Sequence, residues 1–446
     1  MRHLAGRAVM TDADRPTRPA LPARRARGAW LALALLTLAN VSGFVDRQVL
    51  SLLVEPIRHD LSLTDTQVSL LMGLGFVVVS STLALPMGRV ADTRSRRGLL
   101  AAGAAAWSLA TTLTGLARGY GQLLVARMAV GAGEAALQPG AISLLADLFP
   151  PAQLGRAMSV YTLGTFLGSG IAYVLGAWGI AFAAEHLATW PVLGAVRPWQ
   201  SVYLLVGLVS FVVAPLLLLV REPPRRETAR VPVRAVAAYV RAHADAVVPL
   251  SLGFACSAAV NYGIAGWLAT FFVRTHGWSA ARAGVLQGSL TMTVGVLGAL
   301  GGGWLSDRLV RRGRVDGPLL VGVVGALGML VCAGAYPLLA SATAAAVLLV
   351  PVNVFAALPW GPANAAMAEL MPERMRGQGA ALMLLVVNLV SGALGPTAVA
   401  LATDRLFGGA AGLRYALSTV SVVGMLLAAG LLLAARGPFR RTVRGA

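Results

Sequence analysis

The sequence predicts an all-α integral membrane protein of twelve transmembrane helices in two pseudo-symmetric six-helix bundles. Three observations carry this reading. Of the 446 residues, 57% are hydrophobic and only 12% charged, whereas a soluble domain carries about 25% charged residues. Twelve stretches reach the ~20 mostly apolar residues that a spanning helix needs. The longest polar interruption falls at the midpoint of the chain, and the halves on either side of it repeat one another.

The spans lie near 30–54, 66–90, 98–117, 121–148, 156–182, 200–220, 246–272, 283–305, 318–340, 343–370, 378–402 and 414–435. Their pattern is helical or uniformly apolar, without the ~10-residue alternation of an outer-membrane strand. Residues 1–28 hold seven Arg, three Pro and two Asp and read as a disordered cytoplasmic tail. A cleaved signal is excluded, because the apolar run that follows exceeds the 7–15 residues of a signal core. The first bundle is then 29–220, a cytoplasmic linker rich in Arg and Pro is 221–245, the second bundle is 246–435, and 436–446 is a cytoplasmic tail.

All 37 basic residues are Arg, and their distribution orients the chain. With the N-terminus inside, the tails and even-numbered connections carry 27 Arg and the opposite side seven: Arg58, Arg118, Arg197, Arg274, Arg282, Arg405 and Arg414. This bias places both termini in the cytoplasm and the protein in the inner membrane. Three Arg remain inside or at the edge of spans: Arg47, Arg89 and Arg127. Trp190 and Trp199 flank spans on the outer side and fit an aromatic belt.

Several function classes fall away. The net charge of +19 suggests nucleic acid, but a nucleic-acid groove needs its charge on a polar face, and here apolar runs separate the charges. A phosphate-binding Gly-x-x-x-x-Gly-Lys loop is impossible without Lys. The five His (His3, His59, His186, His243, His276) are scattered, so no catalytic or metal cluster is expected. Cys256 and Cys332 lie in apolar runs, too few for a disulfide framework. The chain is expected to be a transporter rather than an enzyme, with no cofactor beyond a coupling proton.

The repeat is specific. Gly88-Arg89-Val90-Ala91-Asp92 closes span 2, and Gly303-Trp304-Leu305-Ser306-Asp307 closes span 8, each followed by an Arg cluster. Asp147-Leu148-Phe149-Pro150 returns 222 residues later as Glu369-Leu370-Met371-Pro372. Repeated halves with a substrate path between them are a common plan of secondary transporters.

Gly88-x-x-x-Asp92 with Arg96 and Arg97 resembles motif A of the major facilitator superfamily, although Thr93 replaces the usual basic residue and Ser95 the usual Gly. The span count, central linker and second motif copy extend the resemblance over the whole chain. Three segments look like the Spinster branch: Asp46-Arg47-Gln48-Val49-Leu50, Arg127-x-x-x-Gly131-x-Gly133-Glu134-Ala135, and Trp267 to Arg274. That resemblance implies the major facilitator fold and a lysolipid or sphingolipid substrate. It also implies a proton-carrying acid at Glu134 supported by Asp46 and Arg47. Motif A implies a cytoplasmic gate in which Asp92 meets the start of span 11 near Gly377. There a carboxylate gains about 0.3–1 kcal/mol from the helix dipole. Asp307 is expected to act likewise toward Gly155.

The sharpest signal in the residues themselves is charge at membrane depth, which costs about 2.5–3.5 kcal/mol per group even on a lenient scale. Asp46, Arg47, Arg127 and Glu134 fall in one band from the outer half to the middle of the bilayer, with formal sum zero. Arg127 and Glu134 are seven residues apart, hence on one helix face. The bland reading is an ion-pair network pinning span 1 to span 4. The functional one is a proton relay through Glu134. The second half has Leu349 and Ala356 at the corresponding positions, and this asymmetry favours the relay.

Candidate cavity residues are Asn40, Phe44, Asn261, Trp267, Trp360, Asn364 and Asn388. One charged wall and one apolar wall suit an amphiphile. The expected partners are a small amphiphilic substrate and the lipid bilayer, with no nucleic acid, and the expected working unit is a monomer. The alternative is proton-linked efflux of hydrophobic drugs or transport of small organic acids on the same fold.

Overall fold

The computed structural model describes residues 23–182, 196–223 and 232–445. Span 1 is Ala23–Leu52 and span 2 is Asp65–Met72 with Leu74–Thr93. Span 3 is Arg96–Thr114, span 4 is Tyr120–Glu134 with Leu137–Leu148, span 5 is Pro151–Phe182, and span 6 is Pro198–Phe211 with Val213–Leu217. In the second half span 7 is Ala244–His276, and span 8 runs from Ala280–Leu290 through Val296–Arg311. Span 9 is Gly317–Ala335, span 10 is Ala342–Ala357 with Trp360–Leu370, span 11 is Arg376–Leu401, and span 12 is Leu413–Gly445.

Ten helices among the described residues have the length and apolarity of a membrane crossing. Spans 3 and 4 fall short for a physical reason. Span 3 opens on Arg96-Arg97, and span 4 carries Arg127 and Glu134 and breaks after Glu134.

The pseudo-symmetry shows in which spans touch. Span 1 packs on 5 as 7 packs on 11; 3 packs on 6 as 9 packs on 12; 2 packs on 4 as 8 packs on 10. Between the bundles 5 meets 8, and the partner contact under the same shift of six is 11 against 2. With an even number of crossings, one membrane face carries both ends of the helical core (the termini face), and the other is the far face. A single buried cluster joins the bundles toward the far face, including Val49, Tyr173, Trp267 and Phe272. From mid-membrane to the termini face each bundle has its own core, around Trp107 and Leu145 in one and Phe254 and Met367 in the other.

Several boundaries differ from the sequence reading. Span 1 begins at Ala23, inside the segment read as a disordered tail, because Ala and Arg are strong helix formers and carry the helix beyond the apolar run. Residues 1–22 lie outside the described residues. The segment read as a C-terminal tail from 436 is helical to Gly445. There Arg436 and Arg440 reach the buried Asp316 at 2.7 and 2.8 Å and hold the extension against the start of span 9. The linker contains a helix, Val233–Ala242, whose Tyr239 hydroxyl donates to the Leu370 carbonyl at 2.7 Å. Trp199 is no belt residue: it is 2% exposed, and its indole N–H donates to Asp60 at 2.8 Å. Trp190 lies outside the described residues.

Candidate functional site

The four membrane-embedded charges meet. Asp46 and Arg47 are on span 1, Arg127 and Glu134 on span 4, and the pairing between them is crossed. Arg127 Nη1 lies 3.1 Å from Asp46 Oδ1, although Arg127 is the nearer of its two to the far face. Arg47 Nε donates to Glu134 Oε2 at 2.7 Å, and Arg47 Nη2 bonds the same oxygen. Side-chain length makes the crossing possible, since Arg127 and Glu134 are separated by ~10 Å along their helix.

The two pairs have different surroundings. Asp46 and Arg127 are fully buried, and the Thr111 hydroxyl on span 3 is a further donor to Asp46. Glu134 is buried, but the Arg47 side chain keeps 26% of its exposure. Arg47 is sandwiched between the rings of Phe44 and Phe76 at 4.8 and 4.9 Å, and Phe76 also faces Arg127 at 5.9 Å. Oε1 of Glu134 is buried without a hydrogen-bond partner. Phe76 thus contacts both guanidinium groups, each of which is also paired with a carboxylate.

The glycines of the span 4 segment explain how this packing closes. A Cβ at Gly131 would stand 2.6 Å from the Phe76 carbonyl oxygen, and one at Gly133 2.6 Å from the Trp107 amide nitrogen. Only Gly lets spans 2 and 3 approach span 4 this closely beside two charges.

Next to the quartet, between the bundles, lies a cavity of about 90 Å³. Phe44 and Gln48, which bracket Asp46 and Arg47 in sequence, form its wall on span 1. Of the seven cavity candidates, Phe44, Asn261 and Trp360 line it. The other four do not. Asn40 is buried and donates to Tyr161 O at 3.0 Å, tying span 1 to span 5. Trp267 is fully buried and donates to Pro396 O at 2.9 Å. Asn364 is exposed and donates to Trp360 O at 3.2 Å, and Asn388 is exposed on span 11. Sequence reasoning missed Gln48, Phe166, Tyr173, Gln287 and Asn353, because nothing in an apolar span distinguishes the face it turns inward.

Inter-bundle contacts flank the cavity on both sides. Toward the termini face Phe166 and Trp360 meet edge to face across the bundle boundary, with ring centroids 6.4 Å apart. Toward the far face the Tyr173 hydroxyl donates to Ala265 O at 3.1 Å. Beyond it an inter-bundle ion cluster seals the surface. Arg274 binds Asp65 at 2.6 Å and Glu55 at 2.7 Å, and Arg58 lies 3.1 Å from Asp65. Asp404 accepts from the Thr66 amide at 2.8 Å and from its hydroxyl at 2.6 Å. In sequence Arg274 closed a Spinster-like segment, but nothing pointed to its partners Asp65 and Glu55.

Motif A residues behave differently from one another. Arg96 is buried and turns into its own bundle, bonding Asp147 at 2.5 Å and Glu222 at 3.1 Å. Arg97 donates to Leu218 O at 3.4 Å. Gly88 faces Pro139 of span 4. The side chain of Asp92 lies outside the described residues. Asp307 is exposed, without an ion pair among the described residues, and a Cβ at Gly155 would meet open space. The structure does not bring those two together.

Residues 36–396 match the family model of the Major Facilitator Superfamily. The chain belongs to that superfamily. This major facilitator protein is 30% identical over 385 residues to an MFS-type efflux pump of Mycolicibacterium smegmatis, covering 85% of this chain and 86% of that one. It is 27% identical to human Protein spinster homolog 1, over 84% of this chain and 73% of the relative. Among solved structures it resembles a bacterial homologue of the human lysosomal transporter Spinster, captured inward-facing and unoccupied. The TM-score is 0.77 at 25% identity, covering 94% of this chain and 97% of the other. It is a Spinster-like, multi-pass membrane transporter of this superfamily.

Proposed function

We propose that this transporter couples substrate movement to a proton, working by alternating access between its two bundles. One observation carries the proposal: among the described residues Glu134 is buried with Arg47 as its ion-pair partner, and the partly exposed Arg47 stacks on Phe44, which lines the cavity. Movement of the Arg47 side chain toward the cavity, within its own bundle, would leave Glu134 unpaired in a low-dielectric site, and a proton is then its natural partner. Asp46 and Arg127 form the fixed pair that anchors span 1. The far face is read as extracytoplasmic from the Arg distribution, with both termini in the cytoplasm and the protein in the inner membrane; the working unit is taken to be a monomer.

The substrate reading is an amphiphilic lipid such as a lysophospholipid or sphingolipid-like molecule. The Spinster relatives and a cavity wall that mixes aromatic rings with uncharged polar side chains support it. A ligand of that size needs several hundred Å³, so the cavity must expand when either face opens. A second reading, proton-linked efflux of hydrophobic drugs, is favoured by the efflux-pump relative that matches most of both chains. Purified protein in liposomes with an imposed pH gradient, offered lysolipids, drugs and organic acids, separates them. Lysolipid flux that follows the gradient supports the first reading. Flux of drugs or acids without lysolipid overturns the substrate and spares the proton step.

A further inference from the structure

The cavity lining contains no charged side chain among the described residues, yet one fully buried polar atom of a lining residue lacks a partner. Gln287 on span 8 is 8% exposed, and its Oε1 is buried with no hydrogen bond. The other end of the amide is engaged, Nε2 donating to Thr291 Oγ1 at 3.4 Å. Buried acceptors are ordinarily satisfied, and each exception calls for an account.

The position of Gln287 is fixed from both sides. Its neighbour Gly288 approaches span 5 so closely that a Cβ would stand 2.7 Å from the Gly170 carbonyl oxygen. One turn later span 8 widens into a π turn, Thr291–Gly295, whose first and last residues line the same cavity. Such turns inside α-helices occur frequently at functional sites. The amide is thus held rigid beside the cavity with its acceptor unused.

The surroundings select the donor. An ammonium would enter a site lined by no carboxylate, beside the Phe44 ring that stacks on the Arg47 guanidinium at 4.8 Å. A neutral hydroxyl or amide N–H meets no such penalty. We propose that Gln287 is a specificity-determining residue of the transport cavity, its Oε1 accepting a hydrogen bond from an uncharged hydroxyl or amide N–H of the substrate. The inference rests on the transport reading above, and for a lysophospholipid the donor is the free glycerol hydroxyl.

The test pairs palmitoyl lysophosphatidylcholine with its 2-deoxy analogue, identical except for that hydroxyl. In proteoliposomes the wild type is expected to move the hydroxylated probe at least about fivefold faster, the lower end of what an unsatisfied buried group costs. Gln287→Met, close in volume, should bring the ratio near one. A ratio that Gln287→Met leaves unchanged, or a wild type indifferent to the hydroxyl, overturns the inference while the lipid reading stands. If the wild type moves neither probe, the lipid reading falls, and Gln287 is judged by a second measurement, thermal unfolding of the ligand-free protein. A recognition group whose acceptor has no internal partner and whose one bond to Thr291 is long predicts that Gln287→Met melts at or above the wild-type temperature. A clearly lower melting temperature marks the amide as structural and overturns the inference.

Discussion

Arg274 and Asp65 face each other across the bundle boundary through two parallel hydrogen bonds, Nη1 to Oδ2 at 2.6 Å and Nη2 to Oδ1 at 2.8 Å. Fork-to-fork pairs of this kind are the strong class of ion pair, and here both side chains are almost wholly buried. Any opening of the far face must separate them. Arg274→Gln is therefore expected to favour the state open at that face. In a background lacking Cys256 and Cys332, a cysteine at Ala265 should react faster with a reagent added from the far side. Each 1.4 kcal/mol lost from closure gives about tenfold. An unchanged rate would show that the pair does not hold the face shut.

Glu134→Gln retains the shape of the side chain and removes its charge. Arg47 loses its carboxylate partner, and the group can no longer gain and release a proton. Accumulation driven by a pH gradient should disappear, while exchange down a substrate gradient persists and the protein still folds. The check is a liposome flux series across pH. A Gln variant with the wild-type pH dependence would sink the relay and leave the structural reading of the quartet.

Asp46 and Arg127 carry the opposite expectation. Removing one partner of a fully buried pair leaves an uncompensated charge, at a cost of about 3–5 kcal/mol, whereas replacing both is often near neutral. Arg127→Leu alone should unfold well below the wild type. Asp46→Asn together with Arg127→Leu should recover much of that loss. Two single variants that each unfold like the wild type would contradict a buried, mutually dependent pair.

Much of this was legible in the sequence, and what was not has a physical cause. Spans are legible because ~20 apolar residues have few other uses, and the quartet because charge at membrane depth needs a reason. The pairing follows from sign, since only Asp46 with Arg127 and Arg47 with Glu134 join opposite charges, but their unequal burial was not legible. Phe76 left no signal: an aromatic residue in an apolar span is unremarkable until two guanidinium groups are found against it. Arg274 and Asp65 were hidden differently. The Arg tally set Arg274 among the loop charges of one side, but sorting charges by loop says nothing about contacts between loops far apart in the chain. Trp267 misled because a tryptophan in a span suggests a cavity, whereas this one buries its N–H on the Pro396 carbonyl.

Arg96 and Glu222 supply a prediction about acid. Glu222 lies just past span 6 and accepts from the Arg96 amide at 3.0 Å, Arg96 Nε at 3.1 Å and the Ser95 hydroxyl at 2.8 Å. Partial burial pushes its carboxyl up, but these donors and the Arg97 amide outweigh it and hold the group below its usual value. A depressed folded value means that the stabilisation is complete above the ordinary glutamate pKa, about 4.3. It is lost as the pH falls through the folded value. The wild type should therefore lose stability more steeply on acidification below that point than Glu222→Gln, whose curve lacks this component. At neutral pH the variant should be only slightly weaker, within the ~1 kcal/mol of a partly exposed ion pair. Thermal unfolding of both proteins across a pH series measures the difference. Parallel curves would mean that Glu222 does not hold Arg96, leaving Asp147 as its effective anchor.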